Sequence, residues 1–202
     1  MTRAVAIIDY DNVVDDRREK NRDDAEANVR WVVGLVGIYC RSVLTNLEEV
    51  DIRLYGGWLD EKTQWTPRAQ YLLSVLSLVR GRRDHALVRL MLCSSVAASS
   101  MGPLRGLCRK RFDEKAQTMK FEQKMVDTMM AVDIVYLCEG DVDLLVVASD
   151  DDDLVPGVIT ASRRSHTPIH LLRRRPMGAG LNDHVCCEHG ATIRPYPKWQ
   201  ES

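Results

Sequence analysis

The chain has no long hydrophobic run, no surplus of charge of either sign and no paired-cysteine motif. Its longest aliphatic stretches hold about five residues, as in Leu144-Leu145-Val146-Val147-Ala148, whereas a membrane-spanning helix needs about 20. No membrane association is therefore expected. Twenty-eight basic residues against 29 acidic ones leave a net charge of −1, so no global basic field draws in nucleic acid. Lysine is scarce, with seven against 21 arginines, and arginine is the better bidentate ligand for phosphate. The basic runs Arg80-Gly81-Arg82-Arg83, Arg109-Lys110-Arg111 and Arg173-Arg174-Arg175 are local, and the simplest role for such a run is a solvated face.

None of the six cysteines (Cys40, Cys93, Cys108, Cys138, Cys186 and Cys187) forms a CxxC pair. The first residues also lack the basic-apolar-small pattern of a signal peptide. Free thiols in a reducing cytoplasm are expected. Cys186-Cys187-Glu188-His189 could supply half of a zinc site, but no second ligand pair stands at a recognisable spacing. What remains is an ordinary globular composition, 45% hydrophobic and 28% charged over 202 residues. That suits a single domain spanning residues 1–202 with its own core.

Strand and helix signals alternate along this chain. Residues 4–9 form an apolar run ending in acid, as a fully buried parallel strand does. Residues 15–24 read as a charged loop or lid. Val29, Val32, Val33, Val36, Cys40, Val43 and Leu47 recur at helical spacing. Residues 50–55 alternate up to Gly56-Gly57 and predict a second strand. Thr66-Pro67 reads as an N-cap with proline at the first helical position, opening a helix to about Val79. Residues 87–92 predict a third strand.

Residues 93–119 read as irregular, with small residues over 99–103 followed by a basic tail. Residues 120–137 predict a helix with Phe121, Met125, Met129, Val132 and Tyr136 on one face, the methionines acting as core filler. Residues 144–148 form the most apolar strand. Beyond it come a helix over 155–163 with Pro156 in its first turn, a strand over 168–172, a short helix over 181–188 and an edge strand over 191–194. The alternation implies a three-layer α/β/α sandwich on a mostly parallel central sheet.

In such sheets ligands bind outside the carboxyl ends of the strands. Two of the most apolar strands end there in acid: Ile8-Asp9-Tyr10-Asp11-Asn12, and Ser149 followed by Asp150-Asp151-Asp152-Asp153. Like charges about 4 Å apart repel by roughly 4 kcal/mol at an effective dielectric of 20. Neither burial nor folding rewards that arrangement, whereas a divalent cation does. The hard oxygen ligands suit Mg2+ or Mn2+ rather than zinc. A third source of acid is Lys124-Met125-Val126-Asp127. Read as helix, it puts Lys124 and Asp127 on one face, with Asp133 about 120° further round. A surface salt bridge between Lys124 and Asp127 is the simpler alternative for that pair.

Three segments together carry a resemblance. Ile7-Ile8-Asp9-Tyr10-Asp11-Asn12-Val13 resembles the opening strand of NYN domains, a branch of the PIN-like nuclease fold. Lys124-Met125-Val126-Asp127 with Asp133 is similar to that family's Lys-Gly-Val-Asp followed by a second aspartate. Ser149-Asp150-Asp151-Asp152-Asp153-Leu154, with Pro156 after it, resembles its Ser-Gly-Asp-Ser-Asp-Phe segment. The segments occur in the family's order and span nearly residues 4–195. Met125 and Asp150 stand where the family has glycine, and Leu154 where it has phenylalanine.

The resemblance implies metal-dependent hydrolysis of phosphodiester bonds, most often in RNA and less often in single-stranded DNA. Asp9, Asp127, Asp151 and Asp153 become the catalytic, metal-binding acids for Mg2+ or Mn2+. Asn12, Asp11, Lys124, Asp133, Ser149 and Asp150 become supporting residues. Arg109, Lys110 and Arg111, in the basic segment 105–111, are the candidates for holding the nucleic-acid backbone, with Arg163 and Arg164 as second choices. Two alternatives stand beside it. A haloacid-dehalogenase-like phosphohydrolase would use Asp9 as nucleophile and Asp11 as acid/base. A PIN-like scaffold would bind RNA or protein without catalysis. A homodimer or a protein partner is open in each case.

Overall fold

The most apolar strands of the chain need cover on both faces, and two helical layers supply it. The computed structural model describes residues 1–14, 19–83, 86–97, 105–113, 117–176, 178–180 and 182–196. The strands are β1 (Arg3–Asp9), β2 (Glu49–Tyr55), β3 (Gly81–Arg83), β4 (Ala86–Cys93), β5 (Leu107–Asp113), β6 (Thr118–Lys124), β7 (Leu144–Ala148), β8 (Ile169–Arg173) and β9 (Thr192–Pro195). The helices are α1 (Tyr10–Val14), α2 (Arg22–Val43), α3 (Pro67–Val79), α4 (Val126–Cys138), α5 (Val155–Arg164) and α6 (Asp183–Glu188).

The central sheet has the order β3-β4-β2-β1-β7-β8-β9. Every pairing in it is parallel except the short β3–β4 hairpin at one edge. Along the chain, the six parallel strands therefore stand in the order third, second, first, fourth, fifth, sixth. The winding reverses between β1 and β7, and at such a switch point the connections leave a crevice at the strand ends.

Alternation along β1 sorts its side chains between two cores. Ala4, Ala6 and Ile8 meet Val29, Val32 and Val36 of α2 and Leu72 and Val75 of α3. Val5 and Ile7 meet Met129, Met130 and Ile134 of α4 and Val158 of α5. All five residues of β7 are buried as well. The expected three-layer α/β/α sandwich is the observed one.

The helix starts follow local chemistry. The Asn21 side chain accepts the Asp24 N–H at 2.9 Å to cap α2, so residues 22–24 belong to a helix and not to the charged loop. Thr66 caps α3 by accepting the Ala69 N–H at 3.3 Å, and Pro67 follows it. Residues 15–18 of the expected loop, and the small-residue stretch 99–103, lie outside the described residues.

The stretch from 105 to 125 departs from expectation. Residues 107–113 are strand rather than an irregular basic loop, and β6 takes residues 118–124 out of the expected helix. The two strands pair antiparallel from Leu107↔Lys124 to Asp113↔Thr118, forming a separate two-stranded ribbon. Lys120, Glu122 and Lys124 alternate with Met119, Phe121 and Gln123, a period of two that the spacing of Phe121 and Met125 obscured. The chain turns into α4 at Met125, whose φ of 66° lies in the left-handed region that favours glycine. Lys124 therefore does not share a helical face with Asp127.

Close approach of α4 and α5 joins two of the acid-bearing segments. A Cβ on Gly157 would sit 3.1 Å from Ala131 Cα and 3.2 Å from the Ala131 carbonyl oxygen. Gly157→Val should push the helices apart and cost about 1–3 kcal/mol. Thermal denaturation should show a drop of roughly 2–4 °C for each kcal/mol in a chain this long. An unchanged melting temperature would mean that the two helices are not held at this distance.

Candidate active site

Asp9 ends β1 beside Ser149, the residue that follows β7, because Ile8 and Ala148 are paired in register. Asp9 is only 4% exposed. Its Oδ2 accepts the Ser149 hydroxyl at 2.7 Å and the Asn12 side-chain amide. The Ser149 Oγ in turn accepts the Asp151 N–H at 3.0 Å, so one hydroxyl ties the first strand to the aspartate run. Burial pushes the Asp9 carboxyl up to about 6, against the opposing pull of the hydrogen bonds from Ser149 and Asn12.

The four aspartates after Ser149 divide by partner. Asp150 accepts the Arg174 N–H and its Nε, both at 2.9 Å. Asp152 pairs with Arg173 Nη1 at 2.8 Å and with Arg175. Arg173 is fully buried, and its Nε lies 3.4 Å from Asp183, which is itself 1% exposed. Asp183 accepts the N–H groups of Gly178 and Gly180 at 2.9 and 3.1 Å, pinning the segment after β8. Three arginines thus answer three carboxylates at the end of β8. The run Arg173-Arg174-Arg175 is built into the fold and is not a solvated face.

Asp151 and Asp153 remain on the other side of this division. Asp151 Oδ1 accepts the Asp153 N–H at 2.9 Å and shapes a short 3-10 turn over Asp152–Leu154. Across from that turn, Asp127 stands in the first turn of α4. Its carboxyl is raised by partial burial first, and then by the charges of Asp151 and Asp153. These three acids come from two elements that α4 and α5 hold together, and none of them forms an ion pair with a described residue.

The other candidates go elsewhere. Asp11 forms an ion pair with Arg68, which also holds buried Glu19 at 2.5 Å and lies over the rings of Tyr10 and Trp58. Asp133 is buried under β2, where it accepts the Tyr55 hydroxyl and, at 2.7 Å, the Ala97 N–H. It is a structural acid that fastens β2 and the chain beyond β4 to α4. Lys124 ends β6 and pairs with Glu122 at 2.7 Å. Arg109 and Arg111 are exposed on β5, paired with Glu61 at 3.1 Å and Glu122 at 3.8 Å. Arg163 lies against His189, and Arg164 pairs with Glu139. The arginines at 173–175 and Arg68 were the residues that sequence patterning missed. Only the adjacency of β7 and β8 could have pointed to the first set.

Among the described residues, no three Asp, Glu, His or Cys side chains close into a group at metal-ligand distance. The donor chemistry nevertheless suits a hard cation. Mg2+ keeps several waters and takes one or two protein carboxylates directly, and Asp127, Asp151 and Asp153 offer it oxygens that form no ion pair with a described residue. All six cysteines are free. No helix of the described residues is long and apolar enough to cross a membrane. No protein-family model matches the chain, and comparison with curated proteins and with solved structures yields no match.

The raised Asp9 carboxyl links stability to pH. Its folded value of about 6 exceeds the ordinary 3.8, so the protonated form is favoured by folding. That contribution is complete below about pH 4 and is lost as pH rises through 6, an effect of about 2–3 kcal/mol. In the presence of chelator, urea denaturation from pH 4 to 7.5 should show this decline in the wild type and a flatter profile in Asp9→Asn. Parallel profiles for the two proteins would remove Asp9 as the cause.

Proposed function

We propose that the chain is a metal-dependent nuclease that hydrolyses phosphodiester bonds in RNA at the carboxyl end of the β1–β7 pair. The observation that carries this reading is the division of the aspartate run. Arginines neutralise Asp150 and Asp152 and leave Asp151 and Asp153 facing Asp127 with no cationic partner among the described residues. A fold that compensates two of four adjacent charges and sets the other two against a third acid raises its own electrostatic cost. A ligand of opposite charge relieves that cost.

Asp127, Asp151 and Asp153 would hold Mg2+ or Mn2+, with Asp9 at the rear of the site. Bound there, the cation supplies charge stabilisation at the scissile phosphate and activation of water. Asp9 holds its orientation through Asn12 and Ser149, and Ser149 fixes the turn that presents Asp151. The turn at Met125 swings the chain from β6 into α4, placing Asp127 in the first helical turn. The left-handed backbone there accords with the glycine that NYN domains carry at the same point of the motif. The phosphohydrolase alternative requires Asp11 as acid/base, and Asp11 is committed to Arg68.

Purified protein should cut RNA with Mg2+ or Mn2+ and lose the activity on chelation. Asp127→Asn and Asp151→Asn should each lower the rate on the order of 100-fold or more. Metal at about ten times its dissociation constant should stabilise the wild type by about 1.4 kcal/mol, and both variants should lose most of that response. Asp133→Asn should lower the melting temperature yet keep the response to metal. Turnover of a small phosphate ester with no cutting of nucleic acid, or a phosphate trapped on Asp9, would move the assignment to the phosphohydrolase.

A further inference from the structure

The chain contains only two phenylalanines, Phe112 and Phe121, and both lie on the two-stranded ribbon outside the main sheet. Phenylalanine is ordinarily a core residue, yet Phe112 is 48% exposed. In the ribbon's register Phe112 stands opposite Met119, and Lys110 opposite Phe121. One face of the ribbon therefore combines aromatic and aliphatic residues with a lysine. The other carries Arg109, Arg111, Lys120 and Lys124 with Asp113 and Glu122. The two strands hold five basic and two acidic residues in a chain whose net charge is −1.

The base of the ribbon is fixed next to the acidic centre. Cys108 donates its N–H to the Leu59 carbonyl at 2.6 Å, and Leu107 bridges Leu59. A Cβ on Gly106 would lie 3.0 Å from Val126 and 3.3 Å from Met129, so the ribbon rises against the helix that carries Asp127 in its first turn. The ion pairs of Arg109 with Glu61 and Arg111 with Glu122 are solvent-exposed. Such pairs are weak, so phosphates can replace the carboxylates.

We infer that this ribbon is a grip for single-stranded nucleic acid that passes round its edge, with Phe112 stacking on a base on one face while Arg109 and Arg111 contact the backbone on the opposite face. This rests on the nuclease reading of the acidic centre and narrows its substrate to unpaired strands. An exposed ring gains from stacking only where a base offers its face, and pairing within a duplex hides that face. Charge complementarity favours a polyanion over a protein on this surface.

The test is fluorescence anisotropy with a labelled 12-nucleotide RNA, alone and in duplex, in EDTA so that no cleavage intervenes. Phe112→Ala should weaken binding of the single strand about tenfold and leave the salt dependence unchanged, while Phe112→Tyr binds as the wild type does. Joint Arg109→Ala and Arg111→Ala should reduce the slope of log affinity on log salt by about 1.4, two phosphate contacts' worth for a single strand. The duplex should bind more weakly and ignore Phe112→Ala. Unchanged single-strand affinity in Phe112→Ala, or tighter binding of duplex, overturns the inference. So does a dimer that Phe112→Ala dissociates while RNA affinity stays the same, since the ribbon would then be a protein contact. If the binding results hold but Mg2+ and Mn2+ support no cutting, the nuclease reading falls and the grip remains. If RNA is cut and Phe112→Ala changes nothing, the reverse is true.

Discussion

An aspartate at the end of a strand buried on both faces must be given hydrogen bonds, and the carboxyl end of this sheet is organised by that need. Asp9 receives them from Asn12, three residues along its own chain, and from Ser149 across the β1–β7 pairing. The Ser149 hydroxyl has a lone pair left for the Asp151 N–H, so satisfying the first acid also sets the turn that bears the others. Left unmade, such bonds would cost about 1–3 kcal/mol for each buried group, and more for a charged one. The strand order makes the arrangement available, because β1 and β7 are neighbours where the winding reverses.

Charge is handled differently on the two sides of the aspartate run. Toward β8, carboxylates and guanidinium groups interlock in partly or fully buried positions, with Arg173 fully enclosed. Removing one member of such a buried set leaves a charge without compensation, which is far more costly than losing a surface pair. Toward α4, Asp127, Asp151 and Asp153 face one another without such compensation from the described residues. The arginines fix the backbone of the run, and the fixed backbone keeps the remaining acids together despite their repulsion. The arginine ion pairs thus fall on alternate residues, Asp150 and Asp152, of the four-residue segment.

Much of the architecture was legible in the sequence because fully buried parallel strands have to be continuous apolar runs. Residues 4–9 and 144–148 are such runs, and the Thr66 cap with Pro67 obeys local rules, whereas the Asn21 cap lay in a segment read as a charged loop. The ribbon was hidden for the opposite reason. Residues 109–112 of β5 are exposed, so no apolar run announces it, and Phe121 with Met125 imitates helical spacing across the end of β6. Asp9 was placed at the end of its apolar strand, whereas Asp127 was read inside a longer helix and, like Asp151 and Asp153, was singled out by motif resemblance. The separate fates of Asp11 and Asp133 were not legible, because each depends on a partner distant in sequence: Arg68 for one, Tyr55 for the other. Nor could the run itself reveal that Arg174 and Arg175 would divide it, since that follows from β8 lying beside β7.

We propose that Asp127, Asp151 and Asp153 hold one cation at this switch point. Crystals of the protein soaked in Mn2+ and measured for anomalous scattering test it most directly. An anomalous peak is expected among these three carboxylates, on the side of the run away from Arg173–Arg175 and absent from crystals of Asp127→Asn. A peak at any other group of side chains, or none at these carboxylates at millimolar Mn2+, would contradict it.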